Sequence, residues 1–232
     1  MFKNYFTQVV ENAFLNSQKY IKKNVRKYIK DTAFSNIKVL DIGCGTGEKT
    51  KNFFSFPEII ETHGIDIHKK DYVKTKSLIY TQVNLETEKI PYGKNTFDII
   101  ISNQVIEHLL DKDTMLEEAN RVLKKDGLFI LATENISSID NIISLILGQE
   151  PVTQITSRKY RTNSFLSTTF MQKEKHGNKF EHKNVNSYYG LKRILKVNGF
   201  INIKMKSFGN ICPLVEKIFP IYNRVLVASA SK

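Results

Sequence analysis

Hydrophobic positions along this chain change period several times. Between residues 4 and 30, Phe6, Val10, Phe14, Ile21, Val25 and Tyr28 recur near helical spacing with lysines between them. That pattern predicts a basic amphipathic helix, with a break allowed near its middle. "IKVLDIG" is then a short β-branched run, the mark of a buried strand. Thr46 is placed to cap a helix running to about Phe56, with Pro57 beyond its end. "IETHGIDI", "LIYTQVNL", "FDIIISN" and "LFILATEN" predict four more strands. A lysine-rich helix is expected near 69–76. A second helix is expected over "DKDTMLEEANRVLKKDG", where Met115, Leu116, Ala119, Val122 and Leu123 share one face and Gly127 stops it.

"IDNIISLILG" predicts an apolar helix without a clean polar side, and "NSYYGLKRILKVNGF" a helix closed by Gly199. "INIKMKSF" and "NRVLVASA" read as two last strands, with a short helix around Pro213–Ile218 between them. Residues 149–183 hold no convincing period and are read as an insertion. Strands alternating with helices at this spacing imply an α/β fold, Rossmann-like and doubly wound. One domain over residues 1–232 is expected, with residues 1–35 as an N-terminal helical extension.

Composition adds bounds. With 41% hydrophobic residues the chain can build one full core. No apolar run reaches the roughly 18–20 residues that span a bilayer. Cys44 and Cys212 stand far apart without a C-x-x-C pattern, so reduced thiols and a cytoplasmic location are expected. The net charge of +12 is uneven: residues 1–30 carry +6, 31–149 carry −5, and 150–210 carry +9. Basic flanks on an acidic middle suit an anionic partner.

The chemistry is concentrated in "VLDIGCGTGEKT". A phosphate loop G-x-x-x-x-G-K-[ST] and a dinucleotide turn G-x-G-x-x-G both need glycine at 48, where this chain has Glu48. Asp41 also opposes a pyrophosphate. At ~6 Å and an effective dielectric of ~20, each like-charge pair costs about 3 kcal/mol. The same carboxylate favours an ammonium group. Asp66, ending "GID", can accept the two hydroxyls of a ribose. The loop therefore asks for a nucleoside with a positively charged tail and no phosphate.

These features resemble class I S-adenosylmethionine-dependent methyltransferases. "VLDIGCGTG" is similar to their first motif, "GIDI" to their ribose-binding acid, and "KIPYGKNTFDIIISNQVIEHLLD" and "EEANRVLKKDGLFILATEN" continue the pattern over about residues 37–135. The nearest likeness is to the group that includes ubiquinone-biosynthesis and small-molecule methyltransferases. The resemblance implies a seven-stranded, mostly parallel sheet with an antiparallel edge strand, and S-adenosylmethionine as cofactor. It puts Asp41, Gly43, Cys44, Gly45 and Gly47 around the methionine part, and Asp66 on the ribose. Ile67, Asn84 and Leu85 fall at the adenine, with Asn103 and Gln104 beside the methionine part and the transferring methyl.

On the acceptor side, His108 is the candidate base for a hydroxyl. Some ubiquinone-type O-methyltransferases carry Glu-x-x-Glu-His here and hold a divalent metal. This chain has Gln104 in the first place, an amide being a weaker ligand than a carboxylate, so no metal is expected. The basic insertion, 149–183, is expected to act as a lid over the acceptor. The implied reaction is methyl transfer to a small molecule, at oxygen, with an anionic sugar or sugar-nucleotide as one acceptor class. An RNA methyltransferase is a weaker alternative, because "SNQV" stands where amino-directed nucleic-acid enzymes of this class often have Asn/Asp-Pro-Pro-Tyr/Phe. A cofactor-free scaffold of the same fold is the other alternative, opposed by the intact Asp41, Gly43, Gly45 and Asp66.

Overall fold

In a computed structural model, residues 2–154, 182–210 and 213–232 are described. Six helices and seven strands follow in the order α1 (Phe2–Thr32), β1 (Ile37–Ile42), α2 (Glu48–Phe53), β2 (Ile59–Asp66), β3 (Ile79–Gln82), β4 (Phe97–Asn103), α3 (Lys112–Val122), β5 (Leu123–Glu134), α4 (Ile139–Ile146), α5 (Tyr188–Val197), β6 (Ile201–Phe208), α6 (Pro213–Ile218) and β7 (Val225–Ser231).

The strands form one sheet in the order β3-β2-β1-β4-β5-β7-β6. β1 to β5 are parallel. β7 runs antiparallel to both β5 and β6. The antiparallel pairing expected at this end of the sheet is thus present, with β7 inside and β6 outermost. The order reverses between β1 and β4, which lie side by side. A crevice opens at such a switch point, beyond the carboxyl ends of the strands.

β1, β4, β7 and the second half of β5 read as apolar runs because both their faces are covered. Val39, Ile99, Ile101, Ile130, Ala132 and Val227 face one core, shared with Ile21, Val25 and Ile29 of α1 and Phe53 of α2. Leu40, Ile42, Ile100, Phe129, Leu131, Leu226 and Ala228 alternate into the other core, shared with Met115 and Leu116 of α3 and Leu191 and Leu195 of α5.

α1 is unbroken, and its buried stripe steps by four through Ala13, Ser17, Ile21, Val25 and Ile29, with Phe6 one step short of a repeat beyond. Small residues belong in that stripe because the backbone comes close. A Cβ on Gly209, just after β6, would lie 2.3 Å from the Cβ of Ala13. Apolar spacing alone could not place Ala13 and Ser17.

Three local expectations need correction. Gly47, not Thr46, caps α2, with φ 82°. The lysine-rich stretch 69–76 forms only a single 3-10 turn, Lys70–Tyr72, because it has no apolar stripe to bury. α3 does not run to Gly127: Leu123 leaves the helix with ψ 136° and pairs with Phe97 as the first residue of β5. Of the expected insertion 149–183, residues 155–181 lie outside the described residues, as does Cys212.

Candidate active site

The carboxyl ends of β1 to β4 surround a cleft of about 190 Å3 whose walls include Gly43, Asp66, Ile67, Asn84, Gln104 and His108. The turn after β1 is built by glycines with left-handed backbone: Gly43 at φ 75°, Gly45 at φ 53° and Gly47 at φ 82°. It is tied to the tip of β2 three times. Gly43 N and Cys44 N donate to Ile65 O at 2.8 and 3.1 Å. Gly45 N donates to Asp66 Oδ2 at 2.8 Å.

Gly43 and Gly45 are required for different reasons. A Cβ on Gly43 would lie 2.2 Å from Val105 Cγ2, so the turn is pressed against the segment after β4. A Cβ on Gly45 would meet nothing within 4 Å. The bare face of Gly45 therefore looks onto open space where a ligand can approach the backbone.

Asp66 is already engaged on both oxygens. Oδ1 accepts from His68 N at 3.2 Å and lies 2.6 Å from His68 Nδ1. A carboxylate has about four lone-pair sites, so acceptor capacity remains. His68, which sequence reasoning missed, also stacks on Tyr72 with ring centroids 4.2 Å apart. Ile67 is exposed beside Asp66. Asn84 and Leu85 join the cleft wall from the β3 side, and Asn84 Oδ1 accepts from Glu86 N.

Five expected residues lie outside the cleft's lining: Gly45, with its bare face, and Asp41, Cys44, Gly47 and Asn103. Asp41 is buried, and its Oδ2 accepts from Thr50 Oγ1 at 2.5 Å. Burial, the largest influence, raises its pKa to about 7, with the neighbouring Asp66 adding to the rise. The full negative charge assumed from the sequence is therefore reduced at neutral pH. Cys44 is buried under the turn, packed so that a Cβ on Gly64 would lie 2.8 Å from its Sγ. Burial pushes the Cys44 thiol far up, out of reach of ionisation. Gly47 fits against Thr75 and Leu78. Asn103 ends β4 without joining the lining. Gln104 does line the cleft, and holds a positive φ of 61° that a side chain rarely adopts. Its Nε2 is buried without a hydrogen-bond partner among the described residues.

The side of the cleft beyond Gln104 is strongly polar. His108 lies on a 3-10 turn, Ile106–His108, and sits edge-on to His182, ring centroids 4.9 Å apart. His182 Nδ1 lies 2.5 Å from Thr153 O and 3.3 Å from Glu134 Oε2. Burial disfavours charge on His182, but Glu134 outweighs it and raises the pKa. Arg224 contacts Glu134 at 3.6 Å and pairs with Asp140. Glu107 is fully buried, accepts from Thr133 Oγ1 at 2.9 Å, and is pushed up to about 7, chiefly by burial. Among the described residues, Glu107, His108 and His182 each offer a ligand atom within 4.8 Å of the others. Lys183, paired with Glu86 at 3.0 Å, stands on the cleft wall.

Comparison with known proteins falls on the same part of the chain. Residues 40–131 match the family described as "Methyltransferase domain". The chain is 30% identical over 141 residues to a protein named ubiquinone biosynthesis O-methyltransferase of Pelagibacter ubique, covering 57% of this chain and 58% of that protein. It thus spans little more than half the length of this curated relative. A solved S-adenosylmethionine dependent methyltransferase from Mesorhizobium loti has the same fold, with a TM-score of 0.58, 15% identity, and 90% and 96% of the two chains covered. Phosphoethanolamine N-methyltransferase 2 of Haemonchus contortus, solved in complex with S-adenosyl-L-methionine, matches at a TM-score of 0.55 and 15% identity, covering 86% of this chain and 49% of that one.

The turn geometry predicts opposite outcomes for two similar substitutions. Gly43→Ala strongly destabilises the fold in urea unfolding, and adding Val105→Ala restores part of the loss. Gly45→Ala costs only the left-handed backbone penalty of about 1–2 kcal/mol. Equal losses at the two positions contradict this account of the turn.

Asp41 supplies a pH test. Its carboxyl keeps a proton in the folded chain up to about pH 7 but loses it near the ordinary 3.8 when unfolded. Raising pH through that window therefore lowers wild-type stability relative to the Asp41→Asn variant, by at most about 1.4 kcal/mol per pH unit. Parallel stability curves for the two proteins, from urea unfolding at a series of pH values, refute the burial argument.

Proposed function

We propose that the chain is a class I S-adenosylmethionine-dependent methyltransferase and that it transfers the methyl group of S-adenosylmethionine to an oxygen atom of a small anionic acceptor. The observation that carries this reading is the clasp of Gly45 N onto Asp66 beside the bare face of Gly45. A cradle of that kind admits a ligand against backbone, next to a carboxylate that still has lone pairs to offer.

The residues fit the cofactor part by part. Asp66 accepts the ribose hydroxyls, and its existing bonds to Gly45 and His68 hold its plane fixed. Ile67 and Leu85, both on the cleft wall beside Asn84, offer apolar surface to the adenine. Gln104 Nε2, buried and unpartnered among the described residues, faces the need for an acceptor that the methionine end can meet. Asp41 acts from below the turn: a cation in the cleft favours its ionised form and is favoured by it.

The cofactor supplies a methyl on a positively charged sulfur, already activated for in-line displacement. The protein's task is then alignment and exclusion of water. His108, on the cleft wall past Gln104, is placed to take the hydroxyl proton as the acceptor oxygen becomes nucleophilic. The polar network of Glu107, Thr133, Glu134 and His182 behind it keeps that wall rigid. Lys183 at the wall supports an anionic acceptor, since an acidic group can compete with Glu86 for it. The basic N-terminal helix and the basic segment before residue 182 favour the same charge sign.

Calorimetric titration with S-adenosylmethionine tests the cofactor reading. Wild type binds. Asp66→Ala binds about 1.5–3 kcal/mol more weakly, and Gly45→Ala loses binding while remaining folded. Undiminished affinity in Asp66→Ala removes the ribose assignment.

A further inference from the structure

We propose that the pocket between α1 and the segment after β6 is a second ligand site, built for an uncharged, polyhydroxylated ring of the sugar kind.

The pocket holds about 300 Å3, at the lower end of the ~300–1,000 Å3 range of small-molecule sites. One wall is a face of α1, with Tyr5, Gln8, Asn12 and Asn16. The other is the segment after β6, with Asn210 and Glu216. The walls meet where Gly209 packs on Ala13, so closely that a Cβ on Gly209 would lie 2.3 Å from the Ala13 Cβ. The second wall is tied down. Arg224 N donates to Gly209 O at 2.7 Å, and Gly209 N donates to Glu216 Oε1 at 3.0 Å. Asn223 Nδ2 donates to Glu216 O at 3.2 Å. Buried Asn210 donates to Tyr222 O and Asn223 Oδ1, each at 3.3 Å. The pocket is therefore preformed.

Its α1 wall is an odd choice for a helix. Asparagine is a poor helix former, because its side chain competes for backbone hydrogen bonds. Gln8, Asn12 and Asn16 nonetheless recur every four residues, the last two each one position before buried Ala13 and Ser17. All three are exposed, and their side chains make no hydrogen bond among the described residues. From Tyr5 to Gln18 α1 carries no basic residue, whereas six follow between Lys19 and Lys30. A helix that breaks its local rule on one face, and keeps cations off it, is arranged for something other than its own stability.

The lining selects the chemistry of the ligand. Glu216 is its one charged group among the described residues, which disfavours a phosphate or carboxylate. Each primary amide brings two N–H donors and one carbonyl acceptor. A donor-only ammonium group would leave most of those N–H groups unmatched. A hydroxyl both accepts and donates. A ring of hydroxyls can therefore take the amide N–H groups and give its own protons to the amide oxygens and to the second oxygen of Glu216. Exposed Tyr5 adds an aromatic face for the C–H side of such a ring.

β7 opposes both β5 and β6, so β6 points the same way as β5, and the pocket lies at the same edge of the sheet as the cofactor cleft. Three strand spacings separate β6 from β4, or ~14 Å at ~4.8 Å each. A molecule anchored here by a sugar ring can extend a second group toward the cleft. That link rests on the methyltransferase reading; the pocket stands without it.

The test uses the full chain and saturation-transfer difference NMR with two probes, methyl α-D-glucopyranoside and methyl α-D-galactopyranoside. The expected result is saturable transfer to the ring protons of at least one probe. The double variant Asn12→Ala/Asn16→Ala, which favours the helix, weakens binding at least about fivefold, each lost hydrogen bond being worth ~2–12-fold. Glu216→Gln keeps an acceptor for Gly209 N and weakens binding about twofold or more. Absence of transfer from the folded wild type to either probe overturns the proposal. So does transfer that the double variant leaves unchanged, or displacement of the bound probe by equimolar putrescine, which marks a cation site instead. Titration of the wild type with S-adenosylhomocysteine reports the cofactor reading separately.

Discussion

The hydrogen bond from Gly45 N to Asp66 Oδ2 joins the turn after β1 to the tip of β2. On it depends the shape of the cleft. It fixes an acid at the strand end in one plane, and it holds the glycine turn where its bare face can meet a ligand. The bond exists because β1 and β2 are parallel neighbours in register, with Asp41 opposite Gly64 and Ile42 opposite Ile65. The buried strand β1 and the partly exposed strand β2 thus deliver two polar tips to one edge. Val105 completes the clamp by filling the space that a side chain at Gly43 would take.

The fold was legible where one physical rule decided the outcome. Runs such as "VLDI" and "DIIIS" become central strands because both faces are buried, and their alternation between the two cores is visible in the sequence once strands are assumed. Asp66 and His108 were picked out by their places at or after strand ends, and Ile67, Asn84, Leu85 and Gln104 by the family resemblance; all six line the cleft. Where a rule was ambiguous, the local reading slipped. Lys124, Lys125 and Gly127 look like a helix end, yet the pairing of Leu123 with Phe97 draws the chain into β5. Asp41 and Cys44 belong to the turn's underside because strand alternation and packing on Gly64 bury them, which a motif cannot reveal.

The polar wall was largely hidden. α4 buries Asp140, Asn141 and Ser144 and leaves Leu145 and Ile146 exposed, the reverse of an ordinary surface helix. Asp140 meets Arg224, and Glu134 meets both Arg224 and His182. These partners are separated by 48 to 90 residues in the chain, and no periodicity links them. The expectation of no clean polar side on this helix was wrong: Asp140, Asn141 and Ser144 share one buried side, a signal that gains meaning only once β5 and β7 are known to be neighbours. The same distance explains why His182 was not singled out from the basic insertion 149–183.

The central claim is that an uncharged sugar and a cationic tail, not a run of phosphates, occupy the strand tips. A crystal structure with S-adenosylhomocysteine bound tests it most directly. The account predicts ribose hydroxyls on Asp66, the amino-acid end against Gly45 and Gln104, and the sulfur turned toward the His108 wall. A nucleoside turned end for end, or one whose ribose leaves Asp66 untouched, contradicts it.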